Sequence, residues 1–322
     1  MSKFEINFSE SQSVWDDFLN KSDQRNIFLK ADFLNSLLTP FQLVTCYEGD
    51  KIVAGIPLIF NQNHTISISP FPYTQYQGLI LGSNVKENMH SKISYEFKIV
   101  EFLLQEVIKK FKKICLCNSW KLNDLRNFQW FNFSEQALPK FKIDLRYTGI
   151  IQLLKSESFE DYIKKIRSVR RQEFRKASRI LNFCISEDVS ILNELHTKTF
   201  ERHGISRSYE QSNLLISITS NAIKKGYGQL GLALHEGKPI SAIFFTQDDR
   251  TAYYLFGAND PEFRHLYGGT FLMLNFINFF IQMGIRSIDM CGVNSPDRGD
   301  FKTSFNAELK PYFICTYDEF SR

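Results

Sequence analysis

The sequence predicts an α/β (α+β) chain made of two copies of one unit, each a sheet flanked by helices. Three observations predict it. Stretches with helical apolar spacing interleave with stretches that alternate like strands. Two tight turns match at one constant offset: Glu48-Gly-Asp-Lys-Ile52-Val-Ala54 and Glu236-Gly-Lys-Pro-Ile240-Ser-Ala242 agree at Glu, Gly, Ile and Ala. The surroundings of both turns also read alike: helices, a hairpin, a further strand, a helix, a strand. A long repeat in two copies indicates duplicated domains rather than a solenoid. The expected division is 1–147 and 148–322.

Composition narrows the function classes. With 322 residues, 43% hydrophobic and 15% aromatic, the chain can pack a sizeable core, which excludes global disorder. A net charge of +4 suits a protein that handles phosphates but is too small for a dedicated nucleic-acid binder. The six cysteines form no C-x-x-C pair and read as reduced thiols. Met1-Ser-Lys-Phe-Glu lacks the basic-then-apolar form of a signal peptide, and the longest apolar run is too short to span a bilayer. A soluble cytoplasmic protein is expected, with no metal-ligand spacing in view; its oligomeric state is open.

In chain order, residues 11–20 and 31–38 read as short amphipathic helices anchored by Trp15, Phe18, Phe33, Leu34 and Leu37. Phe41–Tyr47 and Lys51–Phe60 form a hairpin, and Thr65–Ile68 a third strand. The loop from Ser69 to Gly78 is rich in Pro and Tyr. It reads either as a rigid connector or as a ligand-facing wall, with Tyr73, Gln75 and Tyr76 as the candidate contacts. Ile93–Phe111 is helical, Lys112–Asn118 a strand, and Asp124 with Arg126 an ion pair of small value if exposed.

The second half opens with a strand, Thr148–Leu154, and a helix, Phe159–Leu181, whose buried stripe includes Tyr162, Ile166, Phe174 and Ala177. Its other face stacks Arg167, Arg171, Arg175 and Arg179 four apart beside Arg170, where like charges repel. A solvated face and an anionic partner both remain open there. Helices at 188–203 and 209–225 precede the second hairpin, Gln229–Leu234 and Pro239–Gln247, to which Thr251–Phe256 adds a strand.

The segment Thr251–Asn306 carries the functional expectation. A strand stops at Gly257-Ala258, Arg264 and His265 precede Gly268-Gly269-Thr270, and a helix follows from Phe271 to Met283. Ile285–Met290 is a second strand, ending beside Gly292 and leading to Phe301-Lys302. Glycine turns beside a helix N-terminus can cradle a phosphate, because free N–H groups and the helix dipole point there. The first copy lacks this basic glycine turn, so the second is expected to be the catalytic, donor-binding one and the first to help enclose the substrate.

With these residues in view, the chain resembles the two-domain acyltransferases of the FemABX type, within the wider Gcn5-related N-acetyltransferase (GNAT) fold and its polysaccharide-biosynthesis relatives. The resemblance spans nearly the whole chain. It rests on Trp15, the hairpin Glu48–Phe60, Asp124-x-Arg126-x-Phe128-x-Trp130, Tyr147-Thr148, the basic run Ile166–Ala177, Tyr254-Leu-Phe-Gly-Ala258, Asp289-Met-Cys-Gly292 and Phe301-Lys302-x-x-Phe305. It implies tandem GNAT-like domains with mainly antiparallel sheets, acyl transfer to an amine, and a ligand held between the domains. It also implies a carrier pyrophosphate on a loop of pattern Gln/Arg-x-x-Gly-x-Gly/Ala, here matched by His265-x-x-Gly268-x-Thr270 or, shifted, by Arg264 with Gly268 and Gly269. Thr270 departs from that pattern. In the tRNA-using relatives the lysine matching Lys302 is associated with the donor's phosphate or carbonyl end.

Amide formation needs a neutral amine, a polarised carbonyl and a proton acceptor. Asp289 either orients the amine or caps a turn. Tyr254 either protonates a leaving thiolate or packs in the core. His203 is either a base or a histidine favoured by a helix C-terminus. Lys302 is the strongest single candidate. The leading expectation is an N-acyltransferase using acetyl-CoA or another acyl-CoA, acting on a small amine such as an amino sugar or nucleotide-linked sugar in surface-polysaccharide assembly. Arg167, Arg170 and Arg171 would meet phosphates. The alternatives are an aminoacyl-tRNA-dependent enzyme working on a cell-wall precursor, and a non-catalytic binder of a phosphorylated ligand.

Overall fold

The computed structural model describes residues 3–61, 66, 69–83, 88–202 and 204–320. The chain forms two compact units, Met1–Arg146 with Pro311–Arg322, and Tyr147–Lys310.

The first unit contains β1 (Phe4–Asn7), α1 (Gln12–Asn20), α2 (Ala31–Asn35), β2 (Phe41–Glu48), β3 (Lys51–Ile59), β4 (Ile80–Leu81), α3 (Met89–Phe111), β5 (Lys113–Cys117) and α4 (Arg126–Gln129). Ser11 starts α1 by accepting the Val14 amide, which satisfies one orphan donor of the first turn. Trp15 is fully buried, yet its indole N–H is satisfied by the Leu29 carbonyl at 2.7 Å. Strands β1 to β4 form an antiparallel sheet in that order. The apolar stripe of α3, Tyr95, Ile99, Leu103 and Val107, packs into the core of the sheet. The strand expected at Thr65–Ile68 lies outside the described residues except for Ile66, which bridges Phe60.

From β6 (Lys142–Gln152) onward come α5 (Phe159–Lys165), α6 (Ser168–Ala177), β7 (Asn182–Ser186), α7 (Val189–Glu201), α8 (Tyr209–Lys224), β8 (Gly228–His235), β9 (Lys238–Gln247), β10 (Thr251–Asn259), α9 (Gly268–Met283), β11 (Ser287–Asp289), α10 (Pro296–Thr303) and β12 (Glu308–Asp318). Within the second unit the strand order is β6-β11-β10-β9-β8-β7. The apolar helix α9 lies on β8, β9 and β10, where Phe276 and Phe280 pack against Phe245.

The duplication is visible element by element. The series β1-α1-α2-β2-β3-β4-α3-β5 in the first unit matches β7-α7-α8-β8-β9-β10-α9-β11 in the second. Both hairpin turns place glycine at positive φ, +58° at Gly49 and +81° at Gly237, which explains the shared Glu-Gly.

Two expectations are corrected. The second domain does not run to residue 322: Ile314–Asp318 of β12 pairs with β5, so the chain end completes the first unit. The helix expected over Phe159–Leu181 breaks at Ile166, whose ψ of 161° is extended. There Arg171 turns back to donate to the Lys164 and Ile166 carbonyls, satisfying the end of α5.

Candidate active site

Strands β10 and β11 run parallel, in register through Thr251↔Ser287, Ala252↔Ile288 and Tyr253↔Asp289. Beyond that point they part. β11 ends at Asp289, while β10 continues to Asn259 along β9 with a bulge between Tyr254 and Phe256. One edge of β10 past Tyr253 is thus released from its parallel partner, leaving backbone groups that must find other acceptors and donors. The pairing thus ends at the C-terminal ends of two parallel strands, a position where α/β proteins commonly bind ligands.

The turn that carries β11 away is wired on every side. Cys291 and Gly292 take positive φ, +49° and +88°. Asp289 is 1% exposed, and its Oδ1 accepts the Thr148 hydroxyl at 2.5 Å and the Cys291 amide at 2.8 Å. Its geometry is that of a turn cap. Lys302 reaches in from α10 and donates to the carbonyls of Met290 (2.5 Å), Gly292 (2.9 Å) and Cys291 (3.4 Å). The ammonium also lies 5.1 Å from the Tyr254 ring. Burial, at 9% exposure, lowers its pKa to about 8. Lys302 has three N–H donors, and carbonyl oxygens engage them.

Tyr254 faces this clamp. Its hydroxyl lies so close to Gly257 that a β-carbon there would collide with it. Burial raises its pKa, so the phenol is protonated at neutral pH and can donate a proton but not accept one. Gly257 and Ala258 lie within β10, which runs on to Asn259 instead of stopping at Gly257; Ala258 is buried.

Arg264 and His265 sit exposed on a short 3-10 segment, Pro261–Leu266, before α9. The helix begins at Gly268 rather than Phe271, because the absence of a side chain at Gly268 lets its backbone press against Ser241. Gly269 has more room, its nearest neighbour being the Asn259 side chain. Thr270 turns inward and donates its hydroxyl to Glu173 at 2.6 Å. Glu173 also pairs with Arg170 at 2.7 Å, whose Nε donates to Ser304 and whose guanidinium lies 4.8 Å from the Phe301 ring. A resident carboxylate thus occupies the first turn of α9, where the dipole favours negative charge.

The basic run is mostly committed within the second unit. Arg167 pairs with Asp300, Arg170 with Glu173, and Arg171 with the end of α5. Helix α6 ends at Ala177, so Arg179 does not continue the expected four-apart stack. In the first unit, Tyr76 is a core residue between Phe28 and Tyr312. Tyr73 holds a left-handed backbone, φ +59°, and Gln75 is half-buried with its carbonyl accepting the Cys117 thiol. His203 lies outside the described residues.

Two further residues belong to the site's surroundings and were not singled out from sequence. His196, on α7, is packed against Phe200 and Phe256. Burial, aided by Arg207 and Arg298, depresses its pKa to about 4, so the ring is neutral at pH 7. Arg298 lies one turn before Lys302 on α10 and is exposed. A lone histidine in an apolar helix pattern and an arginine in a polar loop carry no sequence signal of their own.

Residues 162–303 match the GNAT acetyltransferase domain family. The chain is an acyltransferase with a GNAT domain and a FemABX-like two-domain fold. A crystal structure of FemX is similar over 96% of each chain, at 13% identity and a TM-score of 0.67. A tandem GNAT protein from the clavulanic acid biosynthesis pathway matches over 99% of each chain at 9% identity and a TM-score of 0.56. The C-terminal domain of a putative lysylphosphatidylglycerol synthetase from Agrobacterium fabrum matches over 95% of this chain and 90% of its own, at 10% identity and a TM-score of 0.56. No curated relative matches the sequence. Among the described residues, no helix is long and apolar enough to cross a membrane.

Proposed function

We propose that this protein moves an acyl group from an acyl thioester, with acyl-CoA as donor, to the amine of a small acceptor such as an amino sugar or nucleotide-linked sugar in surface-polysaccharide assembly. The observation that carries the reading is the parting of β10 and β11 beside the N-terminus of α9, within the GNAT domain. The released backbone edge of β10 would hydrogen-bond the donor chain and polarise its carbonyl. The amides of Gly269 and Thr270, with Arg264, would meet the carrier's phosphates. Tyr254, protonated and beside Lys302, would deliver a proton to the leaving thiolate as the amine attacks and the C–S bond breaks, and the phenolate so formed would take up the proton shed by the amine. Asp289 would hold the turn that shapes the acceptor side, and Lys302 would fix that turn.

A second reading is an aminoacyl-tRNA donor, and one observation favours it. Glu173, bound to Thr270, places a carboxylate where a pyrophosphate would approach α9, which disfavours that approach by like-charge repulsion. Thermal unfolding separates the two. Acetyl-CoA at a hundred times its dissociation constant should stabilise the protein by about 2.7 kcal/mol. Charged tRNA should do so only under the second reading, with a steep loss on adding salt. Silence from both carriers at low salt would remove the acyl-transfer proposal.

A further inference from the structure

The ion pairs of α5 and α6 account for only part of their basic run. A groove of about 480 Å³ is lined by Phe159, Glu160, Ile163 and Lys164 of α5 and by Arg171 and Arg175 of α6. That volume falls within the range of small-molecule sites, roughly 300–1,000 Å³. The floor is apolar. Phe159 and Ile163 lie four apart on one face of α5 and are half-buried against the core of the second unit. The Phe159 ring meets Phe174 edge-on at 6.0 Å, and Phe174 stacks on Phe271 of α9, so the floor rests on packed aromatic rings.

The rim is basic. Arg171 donates from Nη1 to the Lys164 and Ile166 carbonyls, at 3.0 and 2.9 Å. Those bonds fix the guanidinium but use one nitrogen of a fork that carries five N–H donors, so they leave its Nε–Nη2 edge unengaged. Arg175 is exposed and follows four residues later, where like charges on one helix face repel. Lys164 is held by Asp161 at 2.7 Å, and Glu160 is the one acid among the lining residues. An oxyanion seated between Arg171 and Arg175 would relieve their repulsion and take charged donors from both.

We propose that this groove binds a small anionic amphiphile: a single alkyl or acyl chain laid on Phe159 and Ile163, its terminal oxyanion held by Arg171 and Arg175. The pairing of floor and rim decides the class of ligand. Inorganic phosphate or a nucleic-acid backbone would use the cations and leave the apolar floor unmet. A bilayer surface would call for projecting apolar side chains, whereas Phe159 and Ile163 are half-buried. The assignment concerns binding at α5 and α6 and does not depend on the acyl-transfer reading.

Titration calorimetry at low salt tests it, using inorganic phosphate, butyl, hexyl and octyl phosphate and 1-octanol, all below their micelle concentrations. The proteins are the wild type, Arg175→Gln and Arg179→Gln. Arg179 belongs to the same basic run and is exposed, but it does not line the groove. Among the alkyl phosphates, affinity should rise about fourfold per added methylene until the groove is filled. Octyl phosphate should bind Arg175→Gln about fivefold or more weakly than the wild type, and Arg179→Gln unchanged. Equal affinity for inorganic and octyl phosphate would refute the apolar floor, and equal affinity for 1-octanol and octyl phosphate the basic rim. Equal losses in both variants would refute the groove as the place of binding. A wild type that binds no alkyl phosphate overturns the proposal outright; if it then binds phosphatidylglycerol vesicles or tRNA, the basic run serves an extended surface instead.

Discussion

At the scale of single residues, the buried titratable groups lead to two measurable consequences. Lys302 satisfies carbonyls that would otherwise be orphaned in the Met290–Gly292 turn. Lys302→Met should therefore destabilise the fold by on the order of 3 kcal/mol, seen as a lower denaturation midpoint. Because its folded pKa, about 8, lies below the unfolded value near 10.5, the unfolded chain binds more protons between those values. Wild-type stability relative to Lys302→Met should thus grow as pH rises from about 8 to about 10.5; a gap constant with pH would contradict the burial argument. His196 behaves in the acid range. Its folded pKa, about 4, is depressed from 6.5, so folding stability is kept above pH 6.5 and lost as pH falls toward 4. His196→Gln should flatten that acid limb in a series of thermal melts.

At the scale of elements, the β10 bulge and the α6–α9–α10 junction decide the site's shape. The bulge brings the Tyr254 hydroxyl onto Gly257, so Gly257→Ala should cost on the order of 2 kcal/mol or expel the phenol. Tyr254→Phe removes the nearest colliding atom, so the double variant should lose less than the sum of the two single changes. Additive losses in chemical denaturation would show that the two groups do not meet. At the junction, Arg170 links Glu173, Ser304 and the Phe301 ring, while Thr270 brings α9 to the same carboxylate. Arg170→Ala should leave Glu173 without its cation and cost on the order of 3 kcal/mol, more than loss of the exposed Arg167–Asp300 pair. Matched melts of the two variants check the order.

At the scale of the whole molecule, the chain end closes the first unit, since Ile314–Asp318 pairs with β5 and Tyr317 packs on Phe131 and Phe141. All three tryptophans, Trp15, Trp120 and Trp130, belong to the same unit. Truncation after Lys310 should therefore abolish the cooperative transition seen by tryptophan fluorescence, whereas circular dichroism should retain a transition from the second unit. A fluorescence transition that survives would mean that β12 is dispensable to the first core.

What the sequence by itself determined was local and periodic. The duplication was legible because both hairpins need glycine at positive φ, and the long helices because their apolar spacing repeats over several turns. Tyr254, Asp289 and Lys302 were legible as one neighbourhood because β10, α9 and β11 form a strand–helix–strand unit that sets the two strands side by side, and α10 follows β11 after a short loop. Only the tertiary structure decided what each polar group faces. Side-chain direction within a loop, and the partner a charge finds, depend on contacts between residues far apart in sequence: Thr148 with Asp289, Arg170 with Ser304, Glu173 with Thr270. The edge strands β1 and β7 were invisible for a related reason. A short edge strand is specified by the neighbour it pairs with, and no alternation of its own four or five residues announces it.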